Sequence, residues 1–99
     1  MYNKWDIWLA EVPFEDINER KTRPILVIEG KGYYIDCWKM TSNISAQGSI
    51  KLIKWKEAGL NVETSVILSK KLELSEMYLH HKIGVLHPFD ILRISTKNE

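Results

Sequence analysis

The chain has 99 residues and a mass of 11.6 kDa, which fits one domain, and we predict a single domain over residues 1–99. With 44% hydrophobic and 27% charged residues, the composition predicts a folded, soluble globule. The 14 basic and 13 acidic residues give a net charge of +1, which argues against an unstructured basic tail and against a polybasic membrane anchor.

The charge is unevenly distributed along the chain. Residues Glu11–Glu19 hold four acids and no base, whereas Lys39–Lys56 holds four lysines and no acid. The near balance of the whole chain therefore conceals an acidic and a basic segment. A net charge of +1 does not exclude a local basic patch on the surface.

Cysteine content and hydropathy indicate where the protein acts. Cys37 is the single cysteine, so no internal disulfide can form, and a reducing cytoplasm is the simplest compartment. The first residues reach charged side chains before the apolar stretch of about 7–15 residues that a signal peptide needs. No window approaches the roughly 20 apolar residues of a membrane span. We therefore expect a cytoplasmic protein without membrane attachment.

Hydrophobic alternation and turn residues predict short strands in the first half of the chain. A charged loop is expected over Glu15–Thr22, and Gly30–Gly32 marks a hairpin turn. The predicted strands are Asp6–Val12, a buried run at Ile25–Ile28, and Tyr33–Met40.

The second half is less regular. Ile50–Trp55 fits a strand or a helical turn, Glu57–Gly59 fits a short helical turn closed by glycine, and Lys70–Tyr78 is ambiguous. Strands are predicted at Thr64–Leu68 and His81–Leu86, with a helix of about eight residues opening at Pro88. Five or six short strands and one terminal helix predict a small antiparallel barrel or curled sheet.

The residue types that carry common enzyme chemistry lack the expected spacing. His80, His81 and His87 match no metal-ligand pattern with Cys37, so we predict no metal site. Neither a G-x-S-x-G motif nor a phosphate-binding loop is present.

Arg23, at the mouth of the buried strand, is a candidate phosphate ligand, because a guanidinium offers two parallel donors. An ion pair with Glu15, Asp16 or Glu19 is the alternative. Thr41–Asn43 likewise fits a polar site at a strand end or ordinary turn chemistry.

The segment Lys51–Lys56 interleaves three lysines with Trp55. Basic residues around an aromatic ring suit single-stranded nucleic acid, which offers phosphates to pair and bases to stack. An exposed lysine face above a tryptophan anchored in the core is an equal interpretation.

Three groups of motifs together resemble the MazF/PemK family of toxins from bacterial type II toxin–antitoxin systems. They occur in this order: Asp6–Phe14 followed by Lys21–Ile28; Met40–Asn43; and Trp55–Asn61 with Thr64–Ile67 and Lys82–Leu86. The resemblance covers nearly the whole chain, and K-x-R-P with its apolar strand and W-K-E-A-G-L are its more specific parts.

The resemblance implies a mainly β fold, an SH3-like small antiparallel barrel with a C-terminal helix, assembled as a homodimer. It implies an endoribonuclease, without metal or cofactor, that cuts single-stranded RNA (mRNA) at short sequences. In this family a ribose 2′-hydroxyl attacks the adjacent phosphate, leaving a 2′,3′-cyclic phosphate and a 5′-hydroxyl, and a cognate antitoxin protein inhibits the enzyme.

The resemblance also implies site residues. The family's arginine and threonine correspond to Arg23, which stabilises charge in the transition state, and to Thr41, which bonds the scissile phosphate. RNA contacts are expected from Phe14, Lys21, Ser42, Asn43 and Lys54.

Two features depart from the family pattern. Trp5 stands where the family often has glycine, and Glu15–Glu19 is acidic where the loop usually carries glycine or serine. Because acids near an RNA groove repel phosphate, one alternative is a catalytically degenerate module that binds RNA or protein. A peptide-binding SH3-like adaptor is another.

Overall fold

A computed structural model describes residues 1–13 and 18–97, which form six strands, one short 3₁₀ turn and one helix. The strands are β1 (Asp6–Pro13), β2 (Arg20–Lys31), β3 (Tyr34–Thr41), β4 (Ser49–Lys51), β5 (Ser65–Ser75) and β6 (Leu79–Val85). The 3₁₀ turn Glu76–Tyr78 joins β5 to β6, and helix α1 spans Pro88–Lys97. The prediction of a mainly β fold with a C-terminal helix is confirmed.

All six strands belong to one antiparallel sheet with the order β4-β5-β3-β2-β1-β6. The sheet is barrel-like, although β4 and β6, its edges within the described residues, do not pair with each other. One core cluster includes Ile7, Leu26 and Ile94 and lies towards α1. A second includes Ala10, Ile25 and Val27 on the other face of the same strands.

One predicted boundary was wrong, and one stretch left ambiguous proves to be mostly strand. The expected loop over Glu15–Thr22 ends earlier, because β2 begins at Arg20 and pairs with the end of β1. The ambiguous stretch Lys70–Tyr78 is mostly strand, continuous with β5. The first residues of β2 are polar and are held by backbone pairing with β1, so they carry no hydrophobic period. In the second stretch Leu72 and Leu74 alternate and pack on the second core cluster, but its Glu and Met residues also favour a helix.

The segment between β4 and β5 contains a helical turn rather than a strand. The N–H of Ala58 donates to the carbonyl of Lys54 at 3.2 Å, and Gly59 closes the turn with a φ of 95°. This turn lies directly against β6, because a Cβ added at Gly84 would overlap the carbonyl oxygen of Ala58. Only glycine at position 84 permits this backbone approach.

Trp5 adopts a φ of 78°, in the left-handed region that favours glycine. Its N–H donates to the Val27 carbonyl at 2.9 Å, and its carbonyl accepts from the Leu86 N–H at 2.9 Å. The indole packs on the core, with its ring centroid 6.3 Å from that of Trp38. The core contacts of the Trp5 indole therefore offset the cost of a left-handed backbone conformation at this position.

Candidate functional site

Arg23 and Thr41 meet at one end of the β2–β3 ladder. Ile25 lies opposite Lys39 in this antiparallel pair, and continuing that register brings Arg23 level with Thr41. The two residues border the same two depressions of the surface. The prediction that these side chains belong to one site therefore has a geometric basis in neighbouring strands.

The larger depression is an open groove of about 700 Å³. Strands β1, β2, β3 and β6 contribute to it, together with the segment that follows the helical turn. Its lining residues are Leu9, Thr22, Arg23, Pro24, Met40, Thr41, Ser42, Asn43, Gly59, Leu60, Asn61, Val62, Thr64, His81, Lys82 and Ile83. The groove thus combines apolar walls with hydroxyl, amide and cationic groups.

A smaller hollow of about 130 Å³ adjoins the groove. Arg23 and Thr41 border it as well, and Lys21 and Lys39 add two further cationic side chains. Three basic side chains and no described acid therefore border this hollow.

The Arg23 side chain is exposed, and its Nη1 donates only a long hydrogen bond, 3.5 Å, to the carbonyl of Thr22. Among the described residues no carboxylate forms an ion pair with it, Glu19 included; Glu15 and Asp16 lie outside them. Most of its five N–H donors are therefore available to a ligand rather than committed to the fold.

Thr41, Ser42 and Asn43 form a hydrogen-bonded turn and also line the groove. The hydroxyl oxygen of Thr41 accepts from the Asn43 N–H at 3.0 Å, and Asn43 Oδ1 accepts from the Ser45 N–H at 3.2 Å. These bonds are turn chemistry, yet all three residues line the groove. Since the Thr41 oxygen is held as an acceptor, its O–H remains free to donate to a phosphate.

The remaining residues that were predicted to contact RNA do not all lie at this site. Lys21 borders the smaller hollow, whereas Phe14 lies outside the described residues. Lys54 lines neither depression; its Nζ lies 3.7 Å from Glu57, and the neighbouring Trp55 packs on the core. The structure therefore does not bring Lys54 together with Arg23.

Among the groove residues that were not predicted from the sequence are His81 and Lys82, which are consecutive in β6. Simple alternation places consecutive residues on opposite faces, but β6 is irregular on both sides of this pair. The period-two pattern gave no signal for them, because the sequence alone does not show which residues of β6 border the groove.

The remaining histidines have structural partners. His80 Nε2 lies 3.0 Å from Glu11 Oε2, and His87 Nδ1 accepts from the Phe89 N–H at 3.0 Å. Across residues 1–13 and 18–97, no three His, Cys, Asp or Glu side chains form a group that could hold a metal ion. None of the helices in this part of the chain is long and apolar enough to cross a membrane.

Comparison with known proteins finds no matching family model and no curated protein of similar sequence. Solved structures do match. A "Mycobacterium tuberculosis toxin MazF-mt6" is 16% identical, with a TM-score of 0.72 over 92% of this chain and 89% of that one. An "Endoribonuclease in complex with its cognate antitoxin from Mycobacterial species" is 11% identical, with a TM-score of 0.75 over 97% and 89%.

This chain has the fold of a MazF-type toxin. A third structure, a "Crystal structure of Mtb toxin", agrees, with 14% identity and a TM-score of 0.68 over 92% of each chain. The MazF-like fold predicted from the sequence motifs is thereby confirmed.

Proposed function

We propose that this protein is a toxin-type endoribonuclease that cleaves single-stranded RNA, including mRNA, at short sequences. The observation that carries the proposal is the position of Arg23. Arg23 borders both the groove and the hollow, as does Thr41, and it has no carboxylate partner among the described residues. The MazF-like fold supports the same conclusion, because two of the solved structures with this fold are titled as a MazF toxin and as an endoribonuclease.

The proposed reaction is an intramolecular transesterification at a phosphodiester of the RNA. The 2′-oxygen forms a bond to the adjacent phosphorus as the bond from phosphorus to the 5′-oxygen breaks. The 2′-hydroxyl loses its proton and the leaving 5′-oxygen gains one, so the products are a 2′,3′-cyclic phosphate and a 5′-hydroxyl. The nucleophile comes from the substrate, and the step needs no metal or cofactor.

The two site residues act on the charge that develops at phosphorus. The guanidinium of Arg23 stays protonated and presents paired donors, so it stabilises the extra negative charge of the five-coordinate transition state. The Thr41 hydroxyl donates to a non-bridging oxygen of the same phosphate. Ser42 and Asn43, exposed on the adjoining turn, contact the flanking nucleotide.

A protein partner and a second copy complete the proposal. One structure of this fold is an endoribonuclease in complex with its cognate antitoxin, which supports an antitoxin for this chain too. We propose that such an antitoxin covers the groove, that the active form is a homodimer, and that the enzyme works in the cytoplasm on mRNA. Light scattering of the purified protein tests the homodimer.

The test of the activity is RNA cleavage in the presence of a chelator. We expect wild-type protein to cut single-stranded transcripts with EDTA present and to leave cyclic phosphate ends that mass spectrometry identifies. The variant Arg23→Ala should be slower by about 100-fold or more, as for loss of one transition-state donor. Arg23→Lys, which keeps the charge but loses the paired donors, should fall between the two.

Two outcomes would contradict the proposal at different levels. If wild-type protein binds RNA without cutting it, the chain is the non-catalytic RNA-binding module considered above. If Arg23→Ala cuts as fast as the wild type, the activity stands but its site lies elsewhere.

A further inference from the structure

The edge strand β6 carries two irregularities where it borders the groove. Its pairing with β1 shifts register on either side of the two pairs Trp8–Lys82 and Leu9–His81. Ile83 and His80 are the extra residues at these two bulges. His81 and Lys82, which lie between these two bulges, both line the groove.

Lys82 is fixed within the groove by a buried acid. The side chain of Asp6 is only 3% exposed, and its Oδ1 lies 3.3 Å from Lys82 Nζ. The other carboxylate oxygen, Oδ2, accepts from the Asn3 N–H at 3.0 Å. Because a buried carboxylate is costly without a counter-charge, Asp6 holds the lysine in one place.

The ammonium of Lys82 is nevertheless available to a ligand. The lysine side chain is 44% exposed, and an ammonium has three donors, of which Asp6 takes one. Asp6 is buried, whereas Lys82 is partly exposed and lines the groove, so the lysine is the accessible partner of the pair. Arg23 and Lys82 are the two residues with permanent positive charge that line this groove.

The sheet order separates these two cations. Strand β1 lies between β2, which carries Arg23, and β6, which carries Lys82. Two strand spacings amount to roughly 10 Å, so the two side chains address different phosphates of one bound strand.

We propose that Lys82, positioned by Asp6, binds a phosphate of the RNA strand next to the one held by Arg23 and Thr41. This inference rests on the proposed function and adds a second phosphate subsite to it. Asp6 is a positioning residue, since it reaches the RNA only through Lys82.

The test measures binding of a single-stranded DNA of 12 mixed-sequence nucleotides, which carries phosphates but has no 2′-hydroxyl and stays uncut. We compare Lys82→Gln with Lys71→Gln, an exposed lysine of β5 that lines neither depression. Lys82→Gln should weaken binding by about fivefold to tenfold. It should also reduce the slope of log affinity against log salt by about 0.7, the loss of one phosphate contact.

Lys82→Arg should restore both the affinity and the salt slope, because it keeps the charge. If Lys82→Gln alone unfolds around the unpaired Asp6, the double variant Asp6→Asn/Lys82→Gln removes both charges and must show the same loss of slope. Equal affinity and slope for the Lys82 and Lys71 variants would overturn the inference. RNA cleavage is measured separately from DNA binding, so the two proposals can fail independently. If wild-type protein leaves RNA uncut, that result contradicts the proposed nuclease activity and not the phosphate subsite.

Discussion

The buried carboxylate of Asp90, in the first turn of α1, accepts a hydrogen bond from the backbone N–H of Lys54 at 2.8 Å. Its other oxygen accepts from the Ile53 N–H at 3.0 Å and from Arg93 Nη1 at 2.8 Å. One side chain thus joins α1 to the start of the helical turn. That turn leads at Gly59 into the wall of the groove.

Replacing Asp90 with alanine should therefore destabilise the whole fold. The change leaves two backbone N–H groups and the Arg93 guanidinium without their acceptor, and we expect a loss of about 3 kcal/mol in the free energy of unfolding. Urea denaturation measures it. Glu57→Ala is the control, because its exposed pair with Lys54 should contribute less than about 0.5 kcal/mol. Equal effects of the two variants would contradict this role.

Trp5 offers a test of backbone strain. Trp5→Ala loses the core contacts of the indole and keeps the left-handed φ, whereas Trp5→Gly loses the same contacts and relieves the strain. We expect the glycine variant to be more stable than the alanine variant by about 1 kcal/mol, measured by denaturation. A more stable alanine variant would show that this backbone is not strained.

Burial raises the pKa of the Cys37 thiol to about 12, and the nearby Asp36 adds to the shift. In the folded protein the Cys37 thiol keeps its proton above pH 9, whereas in the unfolded chain it ionises near pH 9.0. The free energy of unfolding that this difference contributes is therefore present below pH 9 and is lost as the pH rises towards 12. Between pH 8 and 10, wild-type protein should lose about 1.4 kcal/mol more than Cys37→Ala. Parallel pH profiles for the two proteins would refute this contribution.

The hydroxyl of Thr41 should matter more for catalysis than for folding. Thr41→Val removes the donor proposed for the phosphate and should lower the cleavage rate by about 100-fold, while Thr41→Ser keeps the hydroxyl and most of the rate. Single-turnover cleavage with saturating enzyme measures the chemical step. A valine variant as fast as the serine variant would remove Thr41 from the mechanism.

Much of the fold was predictable because its strands carry local signals. The buried run Ile25–Ile28 and the proline that opens α1 at Pro88 both appear where the sequence indicates them. The motif order identified the MazF-like fold although the solved structures share only 11% to 16% identity with the chain. Arg23 and Thr41 were already candidates from their positions at strand ends, each with a structural alternative, and the motif order favoured the functional interpretation.

The remaining features depend on contacts between distant segments. Lys54 looked like part of a basic, aromatic RNA surface, but its backbone bonds to Asp90, 36 residues later, and its side chain lies outside the groove. The ion pair of Lys82 with Asp6 joins β6 to β1 across most of the chain. No local pattern of charge or hydrophobicity specifies such pairs, so the sequence could not show them.

The irregular shape of β6 also affects how the protein behaves at high concentration. A straight outer strand exposes a row of unpaired backbone groups that another sheet can extend, which starts aggregation. Here one outer strand, β4, has only three residues, and the other, β6, is broken by two bulges. The two bulges beside His81 and Lys82 therefore make this strand a poor template for edge-to-edge growth.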